Sequence, residues 1–130
     1  MNKKNLSKEF LKYSVVGASG IFVNLFYLYT LTESLNIYYL VSEVFAFLIA
    51  TFSNFIFNKI WTFKEGMNYK FAKRGIKFFI IAGIALVVNL FFLWFFTEIM
   101  GIYYILSQIL SSGFTLVVNF IGNKFWTFSD

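Results

Sequence analysis

Charge is missing from long, evenly placed stretches of this chain. Between Lys12 and Glu33 lie 20 uncharged residues, between Lys77 and Glu98 another 20, and between Gly101 and Lys124 a further 22. A helix rising about 1.5 Å per residue needs roughly 20 residues to cross about 30 Å of hydrocarbon, so three spans follow directly. A fourth stretch, Ile37 to Asn58, is as long and as apolar apart from Glu43 near its start. The apolar runs lack period-two alternation and are about twice the length of a barrel strand, which selects helices. A hydrophobic content of 59%, a mean hydropathy of +0.73 and 20 Phe exceed what a small soluble core buries. The expected fold is all-α: an integral membrane protein with four transmembrane helices.

The basic start MNKKNLSKEFLKY could imitate a secretory signal. The apolar stretch behind it is too long for such a signal and has no small-residue cleavage site, so it reads as a retained first helix. All 11 Lys and Arg fall in the N-terminal segment, between Lys59 and Lys77, or at Lys124, while the two remaining loops carry Glu33 and Glu98. The positive-inside rule then places both termini and the central loop in the cytoplasm, in a multi-pass protein of the plasma membrane. The net charge of +5 belongs to one membrane face. It is explained by topology and attraction to anionic membrane lipids, about 1 kcal/mol per basic side chain near the surface. No nucleic-acid recognition module accompanies it.

The chain has no Cys and no His. Thiolate metal sites, disulfides and His-based catalysis are thereby excluded, leaving six acidic residues as the only acid/base groups of the usual kind. We expect no enzyme activity, metal or cofactor.

NFIFNKIWTF from Asn54 returns as NFIGNKFWTF from Asn119. The same offset of 65 relates Asn24 to Asn89, Glu33 to Glu98, Tyr38-Tyr39 to Tyr103-Tyr104 and Ser42 to Ser107. This pattern implies a parallel tandem repeat of two-helix units within a single membrane domain, residues 1–130. Repeat 1 covers about 10–63, a basic cytoplasmic connector about 64–74, and repeat 2 about 75–128.

Small and polar residues spaced by four mark one face of each second helix: Ser42, Ala46, Ala50, Asn54, Asn58, and in the copy Ser107, Ser111, Thr115, Asn119, Asn123. Gly17, Gly20 and Asn24 mark the first helix, answered by Ala82, Ala85 and Asn89. Such faces allow close packing and interhelical amide hydrogen bonds. The alternative is a polar cavity, since amides both donate to and accept from sugar hydroxyls. Four paired Asn positions favour the cavity for the set as a whole. Glu43 lies within a span, where an acid costs up to about 3 kcal/mol at mid-helix and less near an interface, so it is a candidate intramembrane acid. Its partner at the offset is Gln108, which excludes a symmetric pair of carboxylates. At the inner helix ends, Lys59 and Lys124 oppose the helix dipole, and Trp61 and Trp126 serve as interfacial anchors. The fixed order of these residues implies either a specific fold of the helix exit or a Lys contact with lipid phosphate.

KYSVVGASGIFVNL in the first helix, Tyr38-Tyr39-Leu40 at the start of the second, and the spacing Asn-Phe-x-x-Asn-Lys-x-Trp-Thr-Phe together resemble the GtrA-like family of small four-helix membrane proteins. The resemblance runs from Phe10 to Phe128. It implies a role in cell-surface polysaccharide or teichoic acid glycosylation: moving a polyprenyl-phosphate sugar across the bilayer for a membrane glycosyltransferase. Lys where many such proteins carry Arg keeps the charge and loses the bidentate geometry. On this reading Lys59 and Lys124 attract the phosphate, and Asn24, Asn54, Asn89 and Asn119, with Asn58 and Asn123 at the inner ends, contact the substrate. One chain is small for such a path, so a homo-oligomer is expected. Two other readings stand beside it: a non-catalytic subunit that docks and stabilises a glycosyltransferase, and a proton-coupled exporter using Glu43.

Overall fold

The computed structural model describes residues 3–65 and 69–129, and side chains from Ser7 onward. Residues 66–68 of the expected connector lie outside the described residues. Four long helices account for most of the rest: α1 Lys3–Tyr29, α2 Tyr39–Phe57, α3 Phe71–Trp94 and α4 Tyr104–Gly122. Each continues into a wider π-helical turn, Thr30–Ser34, Asn58–Thr62, Phe95–Ile99 and Asn123–Thr127 respectively. With no Pro in the chain, nothing removes a backbone donor from these helices, and hydrocarbon offers no other partner for the backbone. The spans Ser7–Ser34, Tyr39–Thr62, Phe71–Ile99 and Tyr104–Thr127 are long and apolar enough to cross a membrane. The four-span helical architecture anticipated from charge spacing is the one observed.

The bounds of α2 and α4, and of all paired π-turns, differ by 65 residues. Each helical hairpin reverses through a residue at positive φ, Asn36 at 56° and Gly101 at 70°. Asn and Gly tolerate this left-handed geometry better than any other residues. Bonds from Ile37 N to Leu31 O (3.0 Å) and from Ile102 N to Phe96 O (2.9 Å) close the two turns.

α1 packs on α2, α2 on α3, α3 on α4 and α4 on α1, a closed ring of four helices. Its burial pattern is the reverse of a soluble domain's. Phe22, Phe26, Ile84, Val87 and Phe91 are exposed around the outside, whereas Asn24, Ser42, Glu43, Asn89, Ser107 and Gln108 are buried. Lipid surrounds apolar side chains without cost, so close contact and hydrogen bonds between helices hold such a bundle together.

Candidate functional site

Glu43 sits where the helices meet. It is fully buried, and its Oε2 accepts from Asn24 Nδ2 of α1 at 3.0 Å and from Asn89 Nδ2 of α3 at 2.9 Å. Asn89 Nδ2 also donates to Gln108 Oε1 of α4 at 3.1 Å, and Gln108 Nε2 reaches Ser112 Oγ at 3.3 Å. One carboxylate oxygen thereby ties three helices, and the fourth joins through Gln108. Glu43 lies one turn into α2, near the start of its span as in the sequence, and is a buried junction of the bundle. Tyr39, one turn before it on α2, explains the closure. Tyr39 is buried, its ring lies 5.9 Å from that of Tyr104, and its hydroxyl donates to Glu98 Oε1 at 2.9 Å. Tyr104 donates in turn to Glu33 Oε1 at 2.9 Å. Glu33 and Glu98, the acids of the two hairpin loops, thus latch the hairpin end of one half to that of the other.

Toward the termini, a cavity of about 60 Å³ with a mixed polar and apolar wall opens between α1, α2 and α4. Gly17, Gly20, Ile21 and Asn24 line it from α1, Phe47, Ala50, Thr51 and Asn54 from α2, and Gln108, Ser112, Thr115, Leu116 and Asn119 from α4. A Cβ on Gly20 would stand 2.8 Å from Asn54 Nδ2, so glycine is what makes room here. Asn24 Oδ1 and Asn54 Oδ1 are buried and meet no hydrogen-bond donor among the described residues, as is true of Glu43 Oε1. Of the expected substrate residues, Asn24, Asn54 and Asn119 meet at this cavity, and Asn89 belongs to the Glu43 network beside it. Sequence spacing missed Thr51 and Ser112, because each is the residue next to a member of the four-spaced face.

The other expected residues lie apart, at the terminal face. Asn58 Oδ1 accepts from Thr62 Oγ1, and Asn123 Oδ1 from Thr127 Oγ1, both at 2.6 Å. Asn123 Nδ2 also donates to the Tyr13 hydroxyl at 3.0 Å. Phe63 N and Phe128 N close the wide last turns onto Asn58 O and Asn123 O at 2.9 and 2.8 Å, and the two Phe rings stack with centroids 4.5 Å apart. The repeated Asn-Lys-x-Trp-Thr-Phe order therefore has a structural account: Asn and Thr clamp a π-helical exit, and Phe joins one exit to the other. Trp61 and Trp126 are exposed beneath Lys12 and Lys77, whose ammonium groups lie 5.4 and 5.3 Å from the ring centroids.

Lys59 departs from expectation. It is completely buried instead of open at the surface, bonded to Tyr69 O and paired with Glu65 at 2.7 Å. Arg74 shares that carboxylate at 2.7 Å and also donates to Thr127 O and Ser129 O. The chain after Lys59 folds back to bring Glu65 over two buried cations. Lys124 is paired with Glu9 and is partly exposed. Of the two lysines, Lys124 alone remains partly open to a ligand.

An apolar exterior, four spans, and a hydrogen-bonded polar centre beside a cavity define a small polytopic membrane protein with a polar core. Residues 12–128 match the GtrA/DPMS transmembrane domain, and the chain belongs to that family. It is 31% identical over 119 residues to a dolichol-phosphate mannosyltransferase of Pyrococcus furiosus, a match that covers 92% of this chain and 33% of that protein. The chain thus spans a third of the length of this relative.

Proposed function

We propose that this protein moves a polyprenyl-phosphate-linked sugar between membrane leaflets, or is the membrane component on which that movement depends, in support of cell-surface polysaccharide or teichoic acid glycosylation. The carrying observation is the uncharged cavity inside the spans, where Asn24, Asn54 and Asn119 come together. A lipid-linked sugar needs shelter for its head alone, because the polyprenyl tail stays in hydrocarbon. Family membership and the relative named for dolichol phosphate support a lipid-linked sugar as the class of ligand.

The carboxylates support a role without covalent chemistry. Among the described residues, Glu9 and Glu65 are held by cations, Glu33 and Glu98 by tyrosines, and Glu43 by amides. None is paired with another acid for general acid/base work. The recurrent offset of 65 in element bounds supports descent from one duplicated two-helix unit. Positive charge near the termini supports a cytoplasmic terminal face, where the basic side chains attract anionic lipids and Lys124 meets the phosphate. The ring is small, and a second copy of the chain would widen the sheltered path.

A second reading, a docking subunit for a glycosyltransferase, is favoured by one observation. In the mannosyltransferase the matched region is one third of a longer chain. Reconstitution separates the two. Pure protein in liposomes should speed the movement of a radiolabelled polyprenyl-phosphate hexose between leaflets over that in empty liposomes. No acceleration, with co-purification of a membrane glycosyltransferase, would favour the docking role.

A further inference from the structure

Counterpart positions at the offset of 65 do not build the same interior. Gly17 and Gly20 of α1 correspond to Ala82 and Ala85 of α3, and Ser112 of α4 corresponds to Phe47 of α2. Phe47 packs on Ala82 and Ala85, with Leu86 and Val118 against them, forming a small apolar cluster. Phe47 also borders the cavity from that side, and Ser112, Gly17 and Gly20 form part of the remaining wall.

The cavity wall also has a chemical bias. Ser112 Oγ donates to Gln108 O at 2.8 Å and Thr115 Oγ1 to Ser112 O at 3.1 Å, so both hydroxyls have spent their protons on α4 itself and present lone pairs. Gln108 Nε2 is directed at Ser112. Asn24, 5% exposed, brings an Oδ1 without a donor, and Asn54 brings another. Among the described residues no Lys or Arg lines the cavity. Unfilled acceptors beside amide groups on a wall without a cation favour a neutral ligand that can donate hydrogen bonds over an acceptor-only anion. At roughly 15 Å³ per water on this measure, its volume holds about four waters, comparable with the hydroxyl edge of one sugar ring.

We propose that this bundle has a one-sided hydroxyl-binding site: the cavity between α1, α2 and α4 takes the neutral, O–H-rich head of its ligand, the phosphate stays outside, and the counterpart position on the α3 side is closed by Phe47. The proposal rests on the lipid-linked-sugar reading for the identity of the head.

The test compares a radiolabelled polyprenyl-phosphate hexose with the bare polyprenyl phosphate, each binding to the full chain in phosphatidylcholine nanodiscs. The wild type should prefer the glycosylated lipid by about tenfold, the scale of one or two net hydrogen bonds. Ser112→Phe, which installs the residue of the other half, should bring that preference to about twofold or less, while Leu86→Met, in the apolar cluster but off the cavity wall, should leave it unchanged within about twofold. Asn54→Leu guards against misfolding of the first variant. It should abolish the preference without lowering the unfolding temperature, because it removes an oxygen that the fold leaves without a donor. Absence of preference in the wild type, its survival in both Ser112→Phe and Asn54→Leu, or equal loss in Leu86→Met would overturn the proposal. Liposome movement is read separately. Preference without movement removes the translocase reading and keeps the site, and movement without preference does the reverse.

Discussion

The two halves of the bundle agree at their ends and differ in the middle. At the hairpin end, Tyr39 to Glu98 and Tyr104 to Glu33 are matched bonds of 2.9 Å, and Ser42 and Ser107 reach Ile37 O and Ile102 O at 3.3 and 3.2 Å. At the terminal end, the two Asn-Thr clamps and the two Lys-Trp contacts also correspond. Inside, Glu43 faces Gln108's role, Phe47 faces that of Ser112, and Gly17 and Gly20 face those of Ala82 and Ala85. Contacts that fix helix ends tolerate little change without loss of the bundle. Interior positions can diverge if every new polar group finds a partner or a ligand, and that freedom is where the cavity arose.

The terminal face contains one divergence that demanded a compensating residue. Glu9, which holds Lys124, corresponds to Arg74, which would leave Lys59 opposite a second cation. Glu65 stands between them. Glu65→Ala should therefore cost about 3–5 kcal/mol, as for a buried pair that loses one partner. Glu9→Ala, at a partly exposed pair, should cost less than about 1 kcal/mol. Unfolding of both variants in detergent, followed by helicity, tests this difference. Equal losses would mean that Glu65 is no more structural than its surface counterpart.

A second divergence is single-atom in size. Tyr13 supplies a hydroxyl to Asn123 where Phe78, its counterpart, has none. Tyr13→Phe should make the halves more alike and yet destabilise by about 1–3 kcal/mol, because Asn123 Nδ2 would lose its acceptor in a buried position. An unchanged midpoint would show that the amide finds another partner.

How much of this was legible follows the same division. The spans could be read from charge spacing, since a charge in hydrocarbon is costly whatever its neighbours. The polar faces could be read from four-residue spacing, which placed Asn24, Asn54 and Asn119 together. Tertiary partners could not. Lys59 looks like a surface cation until the chain folds Glu65 back over it, and Glu43 looks hydrated until Tyr39 and Tyr104 are seen to close the bundle above it. Thr51 and Ser112 fall one residue outside the periodic face, yet the helical twist brings them into the cavity wall. The Asn-Lys-x-Trp-Thr-Phe ending was recognisable as a unit, but its clamp depends on a π-helical turn that residue spacing alone does not specify.

Even matched contacts differ in burial, and this sets a smaller test. Tyr39 is buried and Tyr104 is half-buried. Tyr39→Phe should cost about 1.5 kcal/mol and Tyr104→Phe about 0.5 kcal/mol, with the order visible in their unfolding midpoints. The reverse order would separate the hairpin latch from burial as its source of strength.

Glu43→Gln should have the smallest effect on stability and the greatest power to discriminate among functions. The amide oxygen can still accept from Asn24 and Asn89, so the junction keeps its acceptor. The new Nε2 occupies the place of an oxygen that has no donor, beside two Asn side chains whose own oxygens also lack one. A donor enters where the acid left an oxygen without a partner, so stability should stay within about 1 kcal/mol of the wild type. Glu43→Leu keeps the bulk and removes the acceptor, stranding amide donors from two helices, and should destabilise by about 1–3 kcal/mol. If Glu43→Gln is stable and still moves a labelled polyprenyl-phosphate hexose in liposomes, the carboxylate is a structural junction and proton coupling through it is excluded. If it is stable and movement stops, the titratable acid itself belongs to the transport cycle, and the interior asymmetry between Glu43 and Gln108 has a functional origin.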